Sequence, residues 1–203
     1  MLFLLLGVPL SLWISRSDSA ACRALSFFVT LPLVFPPIAL GYILLTLLGK
    51  NGPVGIFLEN CFGIRVIFSE IGVLLAAFTA GLPLLVRPLS AALKNRNIIM
   101  LEEAARVNGC GGLSSFFFVT LPLVRNSLAS GLLLGLARAS GEVGITMMLG
   151  GNISGRTNTL SLEIFNSVSR GDFETASSLC FLLAVFGLIL YIMLEKLQRK
   201  GVS

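Results

Sequence analysis

Two charges stand inside apolar sequence. Arg138 and Glu142 are one helical turn apart within the stretch 127–149. A charge at mid-bilayer costs about 2.5–3.5 kcal/mol on insertion scales, so both must face protein or water. Such a pair could draw an anion, with Arg138 supplying favourable potential and Glu142 limiting how tightly the anion is held. It could equally be a buried ion pair that only shapes a helix bundle. Catalytic chemistry is poorly provided for. The chain has no histidine, the commonest general base and metal ligand. Cys22, Cys61, Cys110 and Cys180 lack the paired spacing of metal or redox sites. No G-x-x-x-x-G-K-[ST] phosphate loop occurs, so ATP hydrolysis does not belong to this chain. What remains is recognition, carried by Glu103-Ala104-Ala105-Arg106-Val107-Asn108-Gly109 and, further on, Leu121-Pro122.

The elements that must position these residues are membrane helices. At 55% hydrophobic and 12% charged residues in 203, with mean hydropathy +0.92, the apolar side chains cannot all hide in a soluble core. Five apolar stretches run over about 2–14, 27–48, 69–86, 127–149 and 176–194. The first is too short for about 30 Å of hydrocarbon and reads as the remaining half of a helix whose start is missing. Ser19-Ala20-Ala21 looks like a signal cleavage site, but no basic segment precedes the stretch. The expected fold is all-α, a polytopic bundle of about five transmembrane helices. Pro36-Pro37 and Pro83 are expected to interrupt helices, and Pro36 and Pro37 are candidates for a bend beside a pathway.

Cations set the orientation. With the central loop cytoplasmic, Arg16, Arg23, Arg87, Lys94, Arg96, Arg106, Arg125, Lys196, Arg199 and Lys200 lie inside. Only Lys50, Arg65, Arg156 and Arg170 lie outside, and this excess places the N-terminus outside and the C-terminus in the cytoplasm. The net charge of +5 follows membrane loops rather than one face of a domain, which argues against nucleic acid. Disulfides are not expected, because the cysteines fall in different compartments.

Within the loop, Asn97 is expected to cap a short helix to Asn108, with Ile98, Leu101, Ala104 and Ala105 on one face. Gly109 suits the left-handed position after it, and a second short segment is expected to break at Pro122. Small residues at helical spacing form two packing stripes, Gly72/Ala76/Ala80 and Gly131/Gly135/Ala139, read first as intrachain contacts. FFVTLPLV occurs twice, at 27–34 and 117–124, and reads as two similar solutions to one interfacial problem.

The pattern E-A-A-x3-G-x9-[I/V]-x-L-P, complete here with Val119 at the aliphatic position, resembles the coupling loop of ABC importer permeases. LPLVFPPIALGY (31–42), GKNGPVG (49–55), ARASGEVGIT (137–146) and GNISGRTNTL (151–160) resemble the permease of molybdate/tungstate ABC importers. Ser154 departs from an expected proline. The resemblance implies one permease domain over 1–203 with a cytoplasmic coupling loop at 94–126. It implies that Glu103, Ala104, Ala105, Gly109, Leu121 and Pro122 serve coupling to an ATPase, and that Arg138 and Glu142 lie beside an oxyanion pathway. The implied partners are a second permease copy, two cytoplasmic ATPases that bind the ATP, an external solute-binding protein and membrane lipid. No cofactor of its own is expected. Sulfate or thiosulfate permeases are the alternative. An ion-coupled secondary transporter fits less well, because it would need midplane binding groups and repeated halves.

Overall fold

The computed structural model describes residues 1–17 and 19–200, with side chains to residue 198. Among the described residues every regular element is helical. In order these are α1 (Leu2–Arg16), α2 (Ala20–Val34), α3 (Pro37–Leu48), α4 (Pro53–Phe62), α5 (Glu70–Leu93) and α6 (Arg96–Val107). They continue as α7 (Gly112–Ser115), a π-helical turn (Phe116–Thr120), α8 (Leu121–Ser140), α9 (Gly144–Gly150), α10 (Leu160–Ser169) and α11 (Phe173–Lys200).

Three helical runs are long and apolar enough to cross a membrane: Glu70–Leu93, Gly112–Ser140 and Phe173–Gln198. A fourth candidate is the pair α3 and α4, bent by 49° at their junction. The apolar α1 and α2 are shorter. Phe181, Leu182, Phe186, Leu188 and Ile189 of α11 are all exposed. In water that surface would drive aggregation, whereas hydrocarbon solvates it and leaves the helix to satisfy its own backbone.

Two of the expected spans are broken. Pro36 takes an extended ψ of 130° and caps α3, with Pro37 at its first turn, so the stretch 27–48 divides into α2 and α3. The ring of Pro36 disfavours α geometry at Phe35, and Pro37 does the same to Pro36. The stretch 127–149 ends as a regular helix at Ser140, and α9 restarts at Gly144. Two expected breaks are absent. Pro83 and Pro88 both lie inside the continuous 24-residue α5, Pro83 fully buried. Pro122 lies inside the helical run from Gly112 to Ser140, just after the π-helical turn, where Leu121 N–H reaches back to the Phe116 carbonyl. The wider turn absorbs a residue that cannot donate to the ladder.

The chain forms two compact units. One takes Met1–Thr30, Leu82–Gly135 and the chain from Tyr191; the other takes Leu31–Gly81 and Leu136–Leu190. The first is centred on Leu85, Leu89, Leu93 and Val124, against which Phe3, Val8, Leu12, Ile98 and Leu128 pack. Gly131 permits this packing, since a Cβ there would stand 3.0 Å from Leu85 Cα. The second unit is centred on Leu40, Ala76, Ala80, Ile145 and Leu149. Here α3 meets α9 glycine against backbone. A Cβ on Gly41 would stand 3.0 Å from Ile145 Cα, and one on Gly144 would stand 3.0 Å from Pro37 Cβ. The stripe Gly72/Ala76/Ala80 is likewise used within the chain, with Gly72 lying against the Val66 and Leu149 carbonyls. Gly41 and Gly144 form no stripe along the sequence, being single residues on separate elements.

Candidate functional site

The segment expected to serve coupling is a helix, α6, between the apolar runs Glu70–Leu93 and Gly112–Ser140. Its cap is Asn95, whose side chain accepts from Asn97 N–H at 3.0 Å, so α6 starts two residues before the helix expected from Asn97. Its end is a Schellman turn. Cys110 N–H bonds the Ala105 carbonyl at 3.0 Å, and Gly109 N–H bonds the Arg106 carbonyl at 3.0 Å. Gly109 holds φ +88°, the left-handed conformation the turn requires, as expected from its position. Asn108 adds a side-chain bond from its Nδ2 to the Ala104 carbonyl at 2.8 Å.

The face turned inward differs from the apolar one expected. Ile98, Glu102 and Ala105 point toward the chain, with Glu102 buried and the other two half-buried. Met100, Leu101, Glu103, Ala104 and Val107 are exposed, Val107 to 88%. An apolar stripe on a short loop helix is thus left open while a carboxylate is buried. Leu121 is half-buried and Pro122 exposed, both past the π-helical turn.

Glu102 was not among the residues singled out in the sequence. Its carboxylate takes the Arg16 guanidinium from the end of α1, Arg106 Nη2 at 2.8 Å from one turn on, and Thr120 Oγ1 at 3.2 Å from the π-helical turn. Burial alone would push its pKa up, but the hydrogen bond and charge of Arg16, the Thr120 hydroxyl and the charge of Arg106 together hold it below the usual carboxylate value. The i, i+4 spacing to Arg106 was a signal in the sequence; Arg16, 86 residues away, was not.

Arg138 and Glu142 are an ion pair, Nη1 to Oε2 at 2.6 Å, in which Arg138 is one-third exposed and Glu142 buried. The pair sits at the break between α8 and α9. Glu142 Oε1 accepts from Ile145 N–H at 2.9 Å, so the carboxylate also serves the open first turn of α9. Beside it lies a cavity of about 380 Å³, lined by Val73, Ala139, Glu142, Thr146, Leu182 and Phe186 among others. Pro36 and Pro37, grouped with this pair in the sequence reading, are exposed at the start of α3, and Gly144 packs against Pro37 and Ile38. The block 151–160 is a folded turn. Thr157 Oγ1 donates to the Gly150 carbonyl at 2.7 Å, and Asn152 and Asn166 exchange side-chain bonds at 2.7 and 3.1 Å. Phe68, at φ +57°, lays its ring on Gly151. The four cysteines are free, and no cluster that could hold a metal ion occurs among the described residues.

Comparisons with known proteins agree with this architecture. The chain is 33% identical over 202 residues to the molybdenum transport system permease protein ModB of Haemophilus influenzae, covering 97% of this chain and 88% of that one. It is 37% identical over 170 residues to ModB of Escherichia coli K12, covering 83% and 74%. It is 36% identical over 190 residues to the probable transport system permease protein NifC of Clostridium pasteurianum, covering 93% and 63%. Its fold is similar to that of a bacterial ABC transporter involved in import of the polysaccharide alginate. That similarity has a TM-score of 0.66 at 19% identity, over 100% of this chain and 76% of that one. A model of the binding-protein-dependent transport system inner membrane component matches residues 7–201. The chain belongs to that family, the multi-pass permeases of ABC importers.

Proposed function

We propose that this chain is the pathway-forming subunit of an importer for molybdate or tungstate, working as a homodimer with two ATPases on its cytoplasmic face and a solute-binding protein outside. The observation that carries the reading is α6. It is a capped helix with a fixed end that leaves Leu101, Glu103, Ala104 and Val107 exposed. An exposed small-residue and aliphatic face is what a groove on a partner subunit accepts. Ala104 permits the close backbone approach, and Glu103 is placed to meet a partner. The sequence carries no phosphate loop, which supports a separate ATPase as that partner. The cation distribution supports α6 lying in the cytoplasm, with the N-terminus outside. The choice of anion follows from the relatives named for molybdenum transport.

Two identical chains related by a two-fold axis would enclose a path that one set of helices cannot. The Arg138–Glu142 pair at the α8–α9 break is the charged element of each half. Arg138 would lend positive potential to the passing oxyanion, while Glu142 keeps the site from holding it too tightly. The test is reconstitution in vesicles with the ATPase and the binding protein, measuring uptake of molybdate, tungstate and sulfate. Uptake of molybdate or tungstate that requires all three components is expected. Uptake of sulfate alone would move the chain to the sulfate permeases, and uptake without the ATPase would overturn the reading.

A further inference from the structure

We propose that Glu102 is a positioning residue of the transport cycle, the polar anchor through which movement of α6 is delivered to α1 and to the start of the Gly112–Ser140 run. The proposal rests on reading α6 as the helix that docks on the ATPase. A docked helix transmits force only through what ties it to the rest of its own chain. Here those ties are few. Ile98 packs on the Leu89/Leu93 cluster at one end of the helix, and Glu102 is its one fully buried residue. Met100, Leu101, Glu103, Ala104 and Val107 of the same helix are exposed.

The carboxylate joins three segments. Oε2 takes Arg16 of α1 and Thr120 of the π-helical turn, while Oε1 takes Arg106 of α6 itself. Arg106 orients the carboxylate from within the helix, so the bonds leaving α6 are those to Arg16 and Thr120. A cleft of about 540 Å³ opens between Leu12, Arg16, Glu102, Arg106, Leu113 and Phe116. Beside that space the ion pair ties α6 directly to α1. A charge-assisted bond has a direction and is stronger than a neutral one, so it resists displacement better than sliding apolar contacts. The π-helical turn gives the second link a pliant base, since a widened turn is a point where a helix can be rebent. A pull on α6 is therefore shared between α1, held rigidly, and the run beginning at Gly112, held through a yielding turn.

The experiment compares wild type, Glu102→Gln, Arg16→Met and Arg16→Lys, each reconstituted with the ATPase and binding protein. Three quantities are read: ATPase retained on the permease by affinity purification, ATP hydrolysed, and anion taken up. For Glu102→Gln and Arg16→Met the expected result is an assembled complex that hydrolyses ATP, with uptake per ATP reduced about tenfold. Arg16→Lys keeps the charge and should keep most of the coupling. The double variant should be no worse than Glu102→Gln alone, because Arg16→Met removes only a link that the Gln variant has already weakened. If uptake falls only in proportion to lost complex, Glu102 is a fold-stabilising residue and the proposal is overturned. Unchanged uptake per ATP in an assembled Gln variant overturns it as well. Should the Gln variant fail to assemble, Arg16→Met decides alone, since it leaves the buried carboxylate its Arg106 partner. A wild-type chain that shows no ATP-dependent uptake refutes the functional reading itself.

Discussion

Replacing Gly109 by valine tests whether the end of α6 matters for its conformation or for its contacts. Gly109 sits at φ +88°, and a Cβ placed there meets no atom within 4 Å. A Cβ therefore clashes with nothing inside the chain, and the penalty is dominated by backbone strain. An L-residue held in the left-handed region loses roughly 1–2 kcal/mol, and a β-branched one lies at the upper end. If the turn opens to escape that strain, it forfeits the bonds from Cys110 to Ala105 and from Gly109 to Arg106, net about 1 kcal/mol each. Either route costs about 1–3 kcal/mol, and each 1.4 kcal/mol is tenfold in an equilibrium. Titration of the ATPase onto reconstituted permease should then show affinity down by roughly tenfold for valine and severalfold for alanine. Asparagine, which tolerates the left-handed region, should stay near wild type. An asparagine variant as weak as valine would refute the reasoning, because it would mean that the glycine is needed to admit a partner atom. Wild-type affinity in the valine variant would refute it from the other side.

Glu142→Leu removes both the Arg138 pair and the acceptor for Ile145 N–H, so it should cost about 1–3 kcal/mol of stability, with Glu142→Gln milder, ranked by thermal unfolding in detergent. Arg138→Met combined with Glu142→Leu should not restore uptake lost in either single variant; rescue would make the pair a scaffold only. Gly41→Leu should destabilise by about 1–3 kcal/mol through overpacking against Ile145 and Met148, while Gly187→Leu, with nothing within 4 Å, should be silent in the same assay. The pKa of Glu102 is depressed on folding, so its ion pairs contribute fully above its ordinary value of 4.5 and are lost as pH falls through the lower folded value. Wild type should therefore exceed Glu102→Gln in stability by a constant margin from pH 7 to pH 5, and the margin should close in stronger acid. A constant margin down to pH 3 would contradict this.

The membrane class, the existence of α6, its glycine stop and the pairing of Arg138 with Glu142 were all legible along the chain. Each depends on composition or on residues within about one helical turn, and such effects survive any tertiary arrangement. The breaks were harder. Pro36-Pro37 broke a helix and Pro83 and Pro122 did not, although all four rings lack the same N–H. What differs is that Pro36 and Pro37 are adjacent, so the second ring holds the first in extended geometry, whereas Pro83 has no proline beside it and Pro122 follows a π-helical turn. The restart at Gly144 depends on Glu142 supplying an acceptor to Ile145, a bond no pattern announces.

The repeated octapeptide shows the division most clearly. FFVTLPLV forms helix in both copies, and in both it carries a proline inside a helical run. Thr30 in the first copy turns its hydroxyl back to the Ser26 carbonyl of its own helix at 2.6 Å. Thr120 in the second, at the same position in the same eight residues, reaches Glu102 at 3.2 Å. Sequence by itself determined that each copy would be an apolar segment at an interface with a hydroxyl to satisfy, because burial demands a partner for that group. Which partner it found was decided only by the fold, which brought a buried carboxylate and Arg16 of α1 to one copy and left the other to bond within its own helix.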